Sequence, residues 1–139
     1  MRILLVVIVL SASFLQGGLC DDAVPSSYEE KLLIIINSYR TQSGLSPLKF
    51  DAELSEIAKG HCGYMHSRNM FNHDNFDERF GRADRQLCVE NLGWNAATPE
   101  EQFRLWKESG THNANMLNDK IRFAGIAKTG PYVTFFACR

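Results

Sequence analysis

The sequence predicts an α+β domain, and three observations carry that reading. Segments with apolar residues at helical spacing and clear capping signals occupy most of the chain. Two β-rich segments, Ile121 to Lys128 and Tyr132 to Cys138, close it and are joined by Thr129-Gly130-Pro131 as an antiparallel hairpin. The whole is 139 residues, enough for one domain. Several helices with a small, late sheet suggest helical and sheet layers packed on each other.

The first helix is expected to start near Pro25, where Ser26 and Ser27 stand three residues ahead of Glu29 and Glu30 as a capping box. Tyr28, Leu32, Ile35, Ile36 and Tyr39 follow at helical spacing, and Gly44 stops the helix. The run Leu32 to Ile36 is wider than one buried face needs. Either both sides of this helix are covered, which is the expectation taken, or one side meets a ligand. Asp51 is a good N-cap for a second helix carrying Leu54, Ile57, Ala58, His61, Cys62 and Met65 and ending near Met70. Phe71 to Leu87 shows no sustained period and reads as a surface loop. Cys88 to Leu92 reads as a short strand and Gly93 to Ala97 as a loop. Thr98-Pro99-Glu100-Glu101 then starts a helix with Phe103 and Trp106 on its apolar face, ending at Gly110. Thr111 to Leu117 adds one or two further turns.

Composition excludes whole classes. At 45% hydrophobic and 22% charged, the chain is an ordinary globular sequence and not a disordered one. A net charge of −1 offers no basic excess for a phosphate backbone, so no nucleic-acid partner is expected. Arg2, the apolar stretch Ile3 to Leu15, and small residues at Gly18 and Cys20 describe a secretory signal peptide over residues 1–20. It is too short for a permanent span, and no second apolar run is long enough, so no transmembrane segment is expected in the mature chain, 21–139. That chain is expected to be a single domain, secreted and extracellular. In that oxidising setting Cys62, Cys88 and Cys138 (with Cys20 if it is retained) allow a disulfide whose partners the spacing leaves open. No CxxC is present.

Four histidines bear on chemistry. His61 lies on the apolar face of the second helix and reads as a hydrogen-bonded core residue. His66, about 140° further round, faces solvent. His73 follows a helix end and His112 sits at a helix start, junctions from which a side chain can point into a cleft. Glu90, flanked by Val89 and Leu92, is costly to bury unless paired or ligating. Two histidines and a carboxylate can hold a divalent metal, most commonly zinc, with a position open for water. They can equally form a hydrogen-bonded polar cluster. No HExxH, G-x-S-x-G or phosphate loop is present.

At these residues the chain resembles the CAP superfamily (cysteine-rich secretory, antigen five and pathogenesis-related proteins, also called SCP domains). The matching pieces occur in order: Tyr39-Arg40, Leu45 to Leu54, His61 to Met65, Phe71-Asn72-His73, Glu90-Asn91-Leu92, Trp106 to Leu117 and Phe123 to Ala127. The likeness is greatest to the short single-domain branch, whose motif Trp-x-x-Ser-x-x-His-x-x-Asn-x-x-Leu meets Trp106, Ser109, His112, Asn115 and an offset Leu117. The resemblance implies a three-layer α-β-α sandwich and a cleft lined by two histidines and acidic residues. Residue by residue, the metal-capable set is His73, His112 and Glu90. Larger relatives carry a second cleft glutamate where Ser109 stands here, with Glu108 adjacent, and both join the cleft set.

Three functions compete. The first is a secreted, non-enzymatic binding or signalling module for a lipid, a sterol or an extracellular protein. The second is a zinc-dependent hydrolase in which His73 and His112 hold the metal and Glu90 is ligand or general base. The third is a purely structural polar cluster in an interaction protein. The first is the expectation carried forward, with zinc as its cofactor.

Overall fold

The computed structural model describes residues 27–139. The expected leader over 1–20 lies outside the described residues, as does Cys20.

Helix α1 spans Tyr28–Gln42 and starts at the expected capping box: the Ser27 hydroxyl accepts from the Glu30 N–H, and the Glu30 carboxylate accepts from the Ser27 N–H. It is followed by β1 (Lys49–Phe50), α2 (Ala52–Arg68), α3 (Phe76–Ala83), β2 (Cys88–Trp94), α4 (Pro99–Glu108), α5 (Gly110–Met116), β3 (Phe123–Thr129) and β4 (Tyr132–Cys138). Asp51 caps α2 through the Leu54 N–H, and Thr98 caps α4 through the Glu101 N–H, both as the sequence indicates. Asn69 takes a left-handed conformation and ends α2 before Met70.

The four strands lie in the order β1-β3-β4-β2, with β1 parallel to β3 and the other pairings antiparallel. Strand β4 is central and buried along all seven residues, which its unbroken Val133-Thr134-Phe135-Phe136-Ala137 run requires. Alternate side chains feed two cores. Ala124, Ile126, Val133, Phe135 and Ala137 pack on Leu32, Ile36, Trp106 and Met116 from the layer of α1, α4 and α5. Tyr132, Phe136, Leu92 and Ala127 pack on Leu54, Ile57, Ala58, Cys62 and Met65 of α2 and on Ala83 of α3. The sheet thus lies between two helical layers, the α-β-α sandwich that the resemblance implies.

Two expectations are corrected. The segment Phe71 to Leu87 is not wholly loop: α3 forms there because Phe76, Phe80 and Ala83 recur at helical spacing, with Phe76 meeting Phe136 edge-on at 6.0 Å. Nor is α1 covered on both sides. Leu32 and Ile36 are buried, but Ile34 stands 63% exposed. The described cysteines resolve into a Cys88–Cys138 disulfide and a free, buried Cys62.

Candidate functional site

The site lies where β2, an edge strand, is crossed from both sides. Residues 88, 90, 92 and 94 turn toward α2 and α3, and residues 89, 91 and 93 toward α1, α4 and α5. Glu90, 5% exposed, therefore enters the α2–α3 side without leaving the strand. Its charge is met at once. Arg79 of α3 donates through Nε to Oε2 and through Nη2 to Oε1, both at 2.7 Å. The same guanidinium donates through Nη1 to the Asp74 carbonyl at 2.6 Å, which holds the α2–α3 connection against it.

His73 lies on that connection. Its Nδ1 is 2.8 Å from Glu90 Oε1, while its side chain remains 53% exposed. The carboxylate holds the proton on Nδ1 and leaves Nε2 as the free nitrogen. His61, buried on α2, is within 2.9 Å of the Asn72 carbonyl and 4.0 Å of Glu90 Oε1. The expectation of a hydrogen-bonded core histidine holds, and the residue also stands directly beneath the site. Burial pushes its pKa down, Arg79 adds to the shift, and Glu90 opposes it.

The opposite wall comes from α5. Asn91 donates to the His112 carbonyl at 2.9 Å, and Asn115 donates to the Glu90 carbonyl at 3.1 Å and to the Asn91 side chain at 2.9 Å. The His112 ring packs 6.5 Å from Trp106, whose indole donates to the Leu92 carbonyl at 2.8 Å. Trp106 and Asn115 thereby seal the outward carbonyls of an edge strand that would otherwise lie open. The spacing of the Trp-x-x-Ser-x-x-His-x-x-Asn segment is what carries α5 along β2. Burial lowers the His112 pKa, and the nearby His73 adds to the shift.

The structure therefore brings His73 and Glu90 into contact and sets His112 opposite. Glu108 is placed elsewhere: it pairs with Arg104 one turn earlier at 2.9 Å, and its side chain is 61% exposed. Ser109 is the half-buried junction of α4 and α5, and its side chain makes no capping bond. Among the described residues no group of three or more His, Cys, Asp or Glu side chains is arranged to hold a metal ion. Both Glu90 oxygens are engaged by Arg79 and His73. Arg79 and Asn91 are the residues of the candidate site that the sequence reading does not single out. Arg79 was hidden by reading its helix as loop, although the Phe76 to Ala83 spacing was there to find it.

The family model for the cysteine-rich secretory protein family matches residues 33–138. The chain belongs to the CAP family. Among curated proteins, the uncharacterized protein YkwD of Bacillus subtilis is 32% identical over 109 residues, covering 73% of this CAP chain and 42% of its own length. The chain therefore spans less than half of that relative. An extracellular SCP-domain protein of Bacillus anthracis superposes with a TM-score of 0.77 at 24% identity, over 81% of this chain and 40% of its own. An outer surface protein of Borrelia burgdorferi superposes with a TM-score of 0.71 at 20% identity, over 78% of this chain and 90% of its own. At these identities the likeness concerns the fold.

Proposed function

We propose that this CAP chain is an exported, non-enzymatic binding module whose partner meets the cleft between His73 and His112. The carrying observation is the state of Glu90. A carboxylate held by two guanidinium bonds and one imidazole is charge-compensated and fully engaged, which suits a rigid recognition surface and removes Glu90 itself as a general base. Export is supported by the apolar leader, by the Cys88–Cys138 disulfide, which persists in oxidising compartments, and by the extracellular and outer-surface descriptions of the structural relatives. No described helix is long and apolar enough to cross a membrane.

Zinc is proposed as a ligand of the two imidazoles alone. The His73 geometry fits it, because Glu90 on Nδ1 orients the ring and leaves Nε2 as the donor. Glu90 itself does not fit as a ligand in this arrangement. Bound zinc would supply a Lewis acid, and this chain's contribution would be to orient His73 through Glu90 and His112 through Asn91. An extracellular protein partner suits the polar walls. A lipid or sterol is the second reading, favoured by the exposed apolar side chains of Met70, Phe71 and Trp94, 40%, 53% and 56% accessible.

Zinc calorimetry at neutral pH on wild type, His73→Ala and His112→Ala tests the cleft. One-to-one binding lost in both variants is expected; no binding in wild type overturns the metal reading. Saturable sterol binding weakened by Trp94→Ser would move the partner to the lipid class. If His73→Ala lowers only the melting temperature and changes no binding, the cluster is structural.

A further inference from the structure

The opposite edge of the sheet is sealed over only part of its length. Strand β1 pairs with just Phe123 and Ala124 of β3. The Asp51 N–H donates to the Ala124 carbonyl at 2.9 Å, and the Lys128 N–H donates to Glu29 Oε1 at 3.2 Å, so the backbone groups of these even-numbered residues point away from β4. The alternation of a strand puts the N–H and C=O of Ile126 in the same row, and among the described residues neither meets a partner there. This stretch forms one wall of an open cavity of about 850 Å³ between α1 and α2. Leu33, Ile34 and Phe50 supply its apolar lining, with Ile34 and Phe50 exposed 63% and 65%. The Ser55 hydroxyl in its lining is buried without a hydrogen-bond partner.

We propose that this groove binds an extended peptide segment of a partner protein, which adds to β3 as a strand at Ile126 and Lys128. The inference goes beyond the cleft, which lies at the β2 edge, and it takes the partner to be a protein. Unpaired main-chain groups ask for a main chain; an acyl tail leaves them unpaired. The Glu29 carboxylate already takes the Lys128 N–H that a strand carbonyl would take, so it stands in for the missing neighbour and covers the edge when no peptide is bound. The charge of the rim fixes the peptide further. The lining carries Glu29, Glu30 and Glu56 against Lys59 and Lys128, an excess of one negative charge; Glu29 and Glu30 have no cationic side chain within ion-pair distance among the described residues, and Glu56 meets Lys59 at 3.8 Å on an exposed surface. The segment therefore alternates apolar residues, packed on Leu33, Ile34 and Phe50, with Lys or Arg facing the glutamates.

The test is selection from a random heptapeptide display on the folded wild-type protein, followed by synthesis of the most enriched peptide. The expected result is an alternating apolar and basic sequence that binds one-to-one and loses at least tenfold in affinity to Ile34→Glu, an exposed substitution that leaves the core intact. N-methylation of the peptide amides, one at a time, should abolish binding at every second position and spare the others. Enrichment of no peptide, indifference to Ile34→Glu, or equal loss at every N-methylated position overturns the proposal. So does saturation of the groove by palmitate, or an Ile34-dependent dimer in sedimentation equilibrium. The cleft is scored separately: His73→Ala and His112→Ala should leave the peptide affinity unchanged, and Ile34→Glu should leave zinc binding unchanged.

Discussion

Arg79 and Glu90 form a two-pronged ion pair in which each carboxylate oxygen is 2.7 Å from a guanidinium nitrogen, and both side chains are almost fully buried. Removing one partner strands a charge where water cannot reach it. Arg79→Ala is expected to cost about 3–5 kcal/mol in denaturant unfolding. The double variant Arg79→Met, Glu90→Leu removes both charges and should recover most of that loss. A loss under about 1 kcal/mol for Arg79→Ala would show that Glu90 finds solvent, and the account of the cleft as a neutralised surface would fall.

One buried imidazole, His61, and one half-buried one, His112, make stability depend on pH. His61 and His112 are both lowered from the ordinary value of 6.5, chiefly by burial, so the folded chain resists protonating them. An unfolded chain takes up those protons as pH falls through 6.5, which favours unfolding. The stabilisation is therefore present above that value and is lost as pH falls toward the lower folded pKa values. Thermal melts taken at about pH 7.5 and about pH 5.5 should show the lower melting temperature at the acidic end, and His61→Gln should shrink the difference. A flat profile in wild type would contradict the assignment.

Glycines separate close approach from simple helix weakness. A Cβ on Gly125 would lie 2.1 Å from the Ser55 nitrogen and 2.2 Å from the Leu54 carbonyl carbon, where α2 crosses β3 on its backbone. Gly125→Ala should cost about 3 kcal/mol. Gly60, within α2, has no heavy atom within 4 Å of its own added Cβ, and Gly60→Ala should stabilise by about 0.5–1 kcal/mol. Melting temperatures that move in the same direction would refute the contrast.

Cysteine chemistry gives a fourth measurement. Opening the Cys88–Cys138 bridge, for example as Cys88→Ser with Cys138→Ser, should cost about 2–4 kcal/mol. Cys62, buried against Thr134 with its pKa raised to about 11 by burial, should stay unreactive to a thiol reagent until the protein unfolds. Prompt labelling of the native protein would show that α2 opens locally.

What could be read from the sequence was what depends on neighbours along the chain. The Ser27, Asp51 and Thr98 caps set three helix starts, and the hairpin across Gly130 set the last two strands. His73, Glu90 and His112 stand out in the sequence because each sits at a junction or in an apolar setting where it needs a reason. What escaped depends on distant pairing. Strand β1 is two residues long and depends on distant groups: Asn37 grips both backbone groups of Leu48, the Lys49 N–H donates to the Arg122 carbonyl just ahead of β3, and the Asp51 N–H just after β1 donates to the Ala124 carbonyl. Arg40, which the sequence offers only as part of the matching piece Tyr39-Arg40, is 1% exposed and donates to the carbonyls of Ser46, Met116 and Asn118. Glu108 was misplaced because adjacency to Ser109 says nothing about which side of α4 it occupies.

The Cys88–Cys138 bridge closes a covalent ring with a sequence separation of 50, containing α4, α5, β3 and almost all of β2 and β4. Tension applied beyond Cys138 passes through the sulfurs to Cys88 and bypasses everything between. His112, Asn91 and Asn115 lie inside the ring, whereas His61, His73 and Arg79 lie outside it. A stretched molecule would give up the helices α1, α2 and α3 as extension and keep about 170 Å of contour locked within the loop. The two walls of the cleft thus belong to mechanically different parts of one chain, and force would part them before it tore the second.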